Sequence, residues 1–333
     1  MEFKIEILSN KCLLGEKEVD LKPISRLFLR FNSKLKEVIF LGEEIDVNEI
    51  SSPTIFVMPD DKIDEFVSNH KVFYEGKSEI VDGVAIMGGE NYPVVVLPLE
   101  SEIYSILEKV LEKIKENYSL KESKIIRLFG KKRDEVESIL KENYIKADVY
   151  SDGLLVDLYI NQTSSFVSDE EVKINELFND FIYSQSDLSM RDVIARLLPL
   201  KHEKLYVLDS FTGGEIARDL LKTGSKDITT KTFNYQNEDG IIKTFDGIFK
   251  DEEALVNHLS LKSIQQHKGD VSVVTAYKNI NNAYRVTIAI AKRDVVDLYN
   301  LWVEGSLEEA ISLGKNWVIF NLIKKLKEKD FEN

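Results

Sequence analysis

The residues whose types and spacing could do chemistry lie between Leu205 and Lys222 of this 333-residue sequence. An apolar run, Leu205 to Leu208, passes into Asp209, Ser210, Phe211, Thr212, Gly213 and Gly214, and a helical pattern begins at Glu215. A strand that turns at once into a helix aims free backbone N–H groups and the positive end of the helix dipole at one point, which suits a phosphate or carboxylate. Ser210 and Thr212 add hydroxyls, and Gly213 and Gly214 let a ligand approach the backbone. The plainer reading of the same residues is a tight strand-to-helix connection in which Asp209 or Thr212 caps the helix. Both stand at this point. As a nucleophile Ser210 would need a base. The four histidines, His70, His202, His258 and His267, show no triad spacing. His258 and His267 are nine residues apart on a polar helical stretch, not the i, i+4 of a helical zinc pair, so no metal site is expected. Lys131, Lys132 and Arg133 after Gly130 form a basic turn without the second glycine of a nucleic-acid clamp, and read better as solvated.

These residues need elements to position them. Phe3 to Leu8 alternates like a strand, and Glu37 to Leu41, Thr54 to Met58 and Val94 to Leu97 are short apolar runs suited to a mostly parallel sheet. Ser101 opens a helix whose apolar stripe runs through Ile103, Leu107, Val110, Leu111 and Ile114. Lys124 to Phe129, Arg133 to Asn143 and Leu154 to Ile160 read as strand, helix and strand. The polar stretch Gln162 to Glu171 reads as a linker. Beyond it, Val172 to Phe181, Ser189 to Leu198 and Leu307 to Leu326 read as helices, and Val271 to Thr275 and Tyr284 to Ala291 as strands. The fold class is therefore α/β. The basic residues number 44 and the acidic 58, a net charge of −14, which argues against broad contact with a nucleic-acid backbone. No apolar run suits a membrane span, the N-terminus does not read as a signal peptide, and Cys12 is the single cysteine, so a reducing cytoplasm is expected.

Three stretches in order resemble the CinA family of competence/damage-inducible proteins. Asp82 to Ile86 with Val94 to Glu102 is similar to the family's G-x-A-I and L-P-G-V-P-S-E-M region. Ile126-Arg127-Leu128-Phe129-Gly130 is similar to its L-R-L-F-G entry to a linking module. Ile182-Tyr183 followed by Asp209 to Gly214 resembles its E-S-C-T-G-G turn. The resemblance implies a shortened molybdopterin-binding-like α/β domain at 1–118, a small α+β linking module at 119–163 and a C-terminal amidohydrolase-like α/β domain at 164–333. It also implies a homodimer, a pyridine or adenine nucleotide as ligand, and no cofactor.

The departures shape the functional expectation. Ser9 to Gly15 keeps only the end of the family's G-T-E-L-L-x-G turn, and Pro59-Asp60-Asp61 stands where a glycine-rich phosphate loop should follow Thr54 to Met58. The stretch before Asp82 is short for a complete domain of that type. Tyr235-Gln236-Asn237-Glu238-Asp239-Gly240 matches the family's Y-S-N-E-A-K segment until Gly240, which replaces the lysine; Lys243 lies three residues on. Thr275-Ala276-Tyr277 replaces a T-G-I-A-G-P loop, and Leu307 aligns with a phosphate-pairing arginine. The resemblance then implies a CinA-like protein with degenerate active sites and a nucleotide-binding or scaffold role. The competing expectation is an active amidohydrolase that deamidates nicotinamide mononucleotide or a related pyridine nucleotide. Ser210 would be its nucleophile, Tyr235 or Lys243 its base, and Thr212, Gly213, Gly214, Asn237 and Thr275 its ligand-binding residues.

Overall fold

The computed structural model describes residues 1–8, 21–41, 52–70, 78–81, 84–88, 92–98, 103–118, 120–161, 168–238, 241–244, 246–267, 269–281 and 283–328. Cys12, Asp82, Gly83, Leu99 to Glu102, Asp239 and Gly240 lie outside them, as does Ser9 to Gly15. The chain divides into two compact units, Met1–Ile126 with Lys131–Asn179 and Arg127–Gly130 with Asp180–Asn333.

The first unit runs β1 (Glu2–Leu8), α1 (Leu21–Arg30), β2 (Lys34–Leu41), β3 (Thr54–Met58), α2 (Asp60–His70), β4 (Ser78–Val81), β5 (Val84–Gly88), β6 (Pro93–Pro98) and α3 (Ile103–Tyr118). The six strands form one sheet in the order β2-β1-β3-β6-β5-β4. The pairs β2–β1, β1–β3 and β3–β6 are parallel, and β6–β5 and β5–β4 antiparallel. Strand periodicity explains why β3 and β6 are buried at every position. Ile55, Val57, Val95 and Leu97 face one core with Leu27, Phe28, Leu107 and Leu111 of α1 and α3. Phe56, Met58, Val94 and Val96 face the opposite core with Ile63, Phe66 and Val67 of α2. A sheet covered on both faces leaves no polar side to its central strands. The unit continues through β7 (Ser123–Phe129), α4 (Arg133–Glu142), β8 (Asp148–Asp152), β9 (Leu155–Asn161) and α5 (Asp169–Phe178). The α4 stripe buries Val136 and Leu140, one turn apart. Helix α5 starts before the expected Val172 because Ser168 Oγ accepts from Glu171 N, a side-chain cap inside the stretch read as linker.

The second unit takes the end of β7, then β10 (Ile182–Ser184), α6 (Met190–Lys201), β11 (Leu205–Asp209), α7 (Glu215–Leu221), β12 (Ile228–Thr232), β13 (Gln236–Glu238), β14 (Ile241–Thr244), β15 (Gly247–Phe249), α8 (Glu252–His267), β16 (Val271–Ile280), β17 (Ala283–Lys292), β18 (Val295–Glu304) and α9 (Leu307–Lys327). Its main sheet has the order β12-β11-β16-β17-β18, parallel across β12-β11-β16 and an antiparallel meander from β16 to β18. β13, β14 and β15 form a small antiparallel sheet. Tyr206, Leu208, Val274 and Ala289 of the main sheet share a core with Leu255, Val256 and Leu259 of α8 and Ile242 of β14. Capping boxes start α6 (Ser189 with Asp192) and α9 (Ser306 with Glu309). The Leu-Phe-Gly motif has a structural use. Phe129 packs edge-on against Trp317 of α9, with ring centroids 5.7 Å apart, and Gly130 takes the left-handed backbone (φ +92°) that ends the strand.

Candidate functional site

Asp209 closes β11 and is wholly buried. Its carboxylate accepts five hydrogen bonds. They come from the backbone N–H groups of Phe211 (3.0 Å), Thr212 (3.0 Å) and Gly214 (3.1 Å), from Thr275 Oγ1 (2.7 Å) and from Thr212 Oγ1. Thr212 Oγ1 in turn accepts from Ile216 N in the first turn of α7. The donors that the sequence offers to a ligand's anion are thus gathered round the chain's own carboxylate, and the capping reading describes this turn. Gly213 and Gly214 have φ of +62° and +92°, a backbone that a side chain rarely adopts. A Cβ at Gly213 would meet open space, whereas one at Gly214 would touch Thr232. The turn is also wedged from above. A Cβ at Gly314 of α9 would lie 2.5 Å from Phe211 Cε1, so the glycine makes room for the ring.

Ser210 points away from this knot. Its hydroxyl donates to the backbone carbonyl of Thr275 at 2.7 Å, and its N–H reaches the same oxygen at 3.3 Å. Ser210 lines a cleft of about 400 Å³ together with Tyr235, a size in the lower range of small-ligand pockets. Phe233 and Tyr277 supply aromatic wall, Asn234 and Asn279 amides, Lys278 a cation and Glu252 a carboxylate. Glu252 is buried and paired with Arg285 Nη2 at 2.7 Å. The Tyr235 hydroxyl donates to Tyr277 O and accepts from Tyr277 N at 3.0 Å. Burial, with a smaller contribution from Glu252, pushes the phenol up to about 12, against its backbone hydrogen bond. At neutral pH Tyr235 is therefore protonated, with its proton committed to a carbonyl.

The structure brings Ser210 and Tyr235 to one cleft and sets other expected site residues elsewhere. Thr275 is buried behind the turn as the partner of Asp209 and Ser210. Lys243 sits in β14 opposite Gln236 and Ile248, outside the cleft lining. Asn237 pairs with Ile242 in the small sheet. Ala276 is core, and Leu307 opens α9. Sequence reasoning missed Phe233, Asn234, Glu252, Lys278 and Asn279. They come from different elements, so no local spacing announces them; only the Tyr235 and Tyr277 segments carried a signal. Among the described residues no group of three His, Cys, Asp or Glu side chains is placed to hold a metal ion, and no helix is long and apolar enough to cross a membrane.

No family model matches the sequence. It is 30% identical over 130 residues to a CinA-like protein of Sulfurihydrogenibium sp. (strain YO3AOP1), across 38% of this chain and 32% of that protein. It is 25% identical over 170 residues to a relative named as competence-damage inducible in Thermoanaerobacter sp. (strain X514), across 46% and 41%. The matches thus span between a third and about two fifths of these relatives' lengths. Among solved structures, the competence damage-inducible protein A of Klebsiella pneumoniae subsp. pneumoniae MGH 78578 aligns with a TM-score of 0.35 and 15% identity, over 42% of this chain and 97% of its own.

Proposed function

We propose that this chain is a ligand-binding rather than a hydrolytic member of the CinA family, a placement its partial matches to CinA-like and competence-damage inducible relatives support, and that it takes a nucleotide into the cleft between Ser210 and Tyr235. A planar ring would lie against Phe233 and Tyr277, the amides of Asn234 and Asn279 would read its edge, and Lys278 would meet an anionic group. All five line the cleft. One observation carries the reading. The Ser210 hydroxyl donates to Thr275 O, and the Tyr235 hydroxyl donates to Tyr277 O. A serine nucleophile needs a neighbour that can take its proton, and a buried phenol held near 12 is already protonated at neutral pH.

The test is a calorimetric titration of the protein with nicotinamide mononucleotide and with an adenine nucleotide, for wild type, Tyr277→Ala and Lys278→Ala. Saturable binding of at least one nucleotide, weakened about tenfold or more by either substitution, is the expected result. Absence of binding by both nucleotides, or binding indifferent to both substitutions, would remove the cleft as the nucleotide site.

A further inference from the structure

A row of side chains leads away from the cleft across the main sheet of the second unit. Lys278 of β16 lines the cleft. It stands opposite Arg285 of β17, and Arg285 stands opposite Trp302 of β18. Residues opposed in an antiparallel pair share one face of the sheet. That face is the one α8 covers. Val274 and Ala276, four and two residues before Lys278, pack with Leu255 and Val256 of α8. Arg285 Nη2 donates to Glu252 Oε2, in the first residue of α8, at 2.7 Å. With strands about 4.8 Å apart, Lys278 and Trp302 are separated by about 10 Å. Each member of the row keeps capacity to bind. Lys278 is exposed and has no ion-pair partner among the described residues. Arg285 gives Nη2 to Glu252, while its buried Nε has no acceptor. Trp302 is 56% exposed, a large ring left at the surface. Two residues before it, Asn300 Nδ2 donates to Glu253 Oε1 at 2.9 Å, which leaves the second Glu253 oxygen for another donor.

We infer that the ligand of this cleft is a dinucleotide, two nucleosides joined through a diphosphate. The inference rests on the nucleotide reading of the cleft and extends it. One ring lies in the cleft against Tyr277, the diphosphate crosses Lys278 and Arg285, and the second base stacks on Trp302. Along the row the chemistry runs aromatic, cation, cation, aromatic, which is the order of groups along such a ligand. Lys278 supplies the net positive charge. Glu252 offsets the charge of Arg285 but holds its planar guanidinium in place, so Arg285 contributes directed donors. Glu253 is tied to β18, at the base end of the row and not at the phosphate end. Its second oxygen there accepts from an exocyclic amino group, which selects an amino-bearing base such as adenine. A mononucleotide fills the cleft and reaches Lys278, and leaves Trp302 uncovered.

The test compares two dinucleotides, nicotinamide adenine dinucleotide and diadenosine diphosphate, with nicotinamide mononucleotide and adenosine monophosphate. Binding to the full chain is followed by calorimetry and by tryptophan fluorescence, for wild type, Trp302→Ala and Trp302→Phe, with circular dichroism confirming that the variants are folded. The chain has two tryptophans, and Trp317 is packed against Phe129 and Phe320, so a base stacked on Trp302 quenches the exposed one. The expected result is that at least one dinucleotide binds about fivefold or more tighter than either mononucleotide and quenches the emission. Trp302→Ala should remove that advantage and leave mononucleotide affinity unchanged, since base stacking on an aromatic side chain is worth about fivefold or more. Trp302→Phe should keep most of the affinity and lose the quench. Mononucleotide binding with no gain for either dinucleotide, or a gain that survives Trp302→Ala, would overturn the dinucleotide proposal and leave the cleft reading in place. Absence of binding by all four compounds would overturn both.

Discussion

At the scale of single residues, the turn after β11 is built around Asp209 rather than around a ligand. Five donors converge on its buried carboxylate. Asp209→Asn keeps the shape but turns an amide NH₂ toward those donors, so it should cost about 3 kcal/mol or more, since each buried donor left without an acceptor carries a penalty. Urea unfolding measures this; an unchanged midpoint would contradict the account. Tyr235 makes a second prediction, and its sign follows from its folded-state value. Its folded value of about 12 lies above the ordinary 10.0 of an unfolded chain. Its contribution to stability is therefore present in full below about pH 10 and is lost as pH rises from there through 12. Absorbance titration at alkaline pH should show Tyr235→Phe lacking one late-ionising phenol among the thirteen tyrosines. Loss of an ordinary phenol near pH 10 would contradict the buried hydrogen-bonded assignment.

At the scale of elements, α9 meets the Phe211 turn through Gly314. Alanine normally stabilises a helix interior by about 0.5–1 kcal/mol over glycine. Here its Cβ would sit 2.5 Å from Phe211 Cε1 and 2.9 Å from Cζ, and overpacking of a tight contact costs about 1–3 kcal/mol. Gly314→Ala should therefore be net destabilising in chemical denaturation, and Phe211→Leu in the same chain should relieve part of the loss. A stabilised single variant would show that the ring gives way freely. The elements also show what periodicity could reveal. The apolar runs at Thr54 to Met58 and Val94 to Leu97 were legible as strands because both faces are covered, and the α3 and α4 stripes were legible because each buries one face. α1 was not read from the sequence although Ile24, Leu27, Phe28 and Phe31 follow a helical stripe; Pro23 in its first turn and Ser25 obscure it. β18 was missed because Leu298 and Trp302 break the expected outward polarity.

At the scale of the whole molecule, the sequence motifs located the strand-to-helix turn after β11 but not the chemistry of its surroundings. Ser210 and Tyr235 were legible from their local patterns, and the structure sets them in one cleft. What decides their role is long-range. The acceptors of their protons are Thr275 O and Tyr277 O on β16, 65 and 42 residues away. The Glu252–Arg285 pair beside them spans 33 residues. No sequence window holds such pairings, because backbone carbonyls carry no residue type. The acid surplus of −14 is likewise a property of the whole sequence and says little about a cleft that presents Lys278 beside a Glu252 paired with Arg285. The central claim is that this cleft binds without hydrolysing, and the most direct test is ammonia release from nicotinamide mononucleotide at neutral pH, comparing wild type with Ser210→Ala. The account predicts no release from the wild type above that of the variant; release by the wild type that Ser210→Ala abolishes would contradict it and make the protein an amidohydrolase.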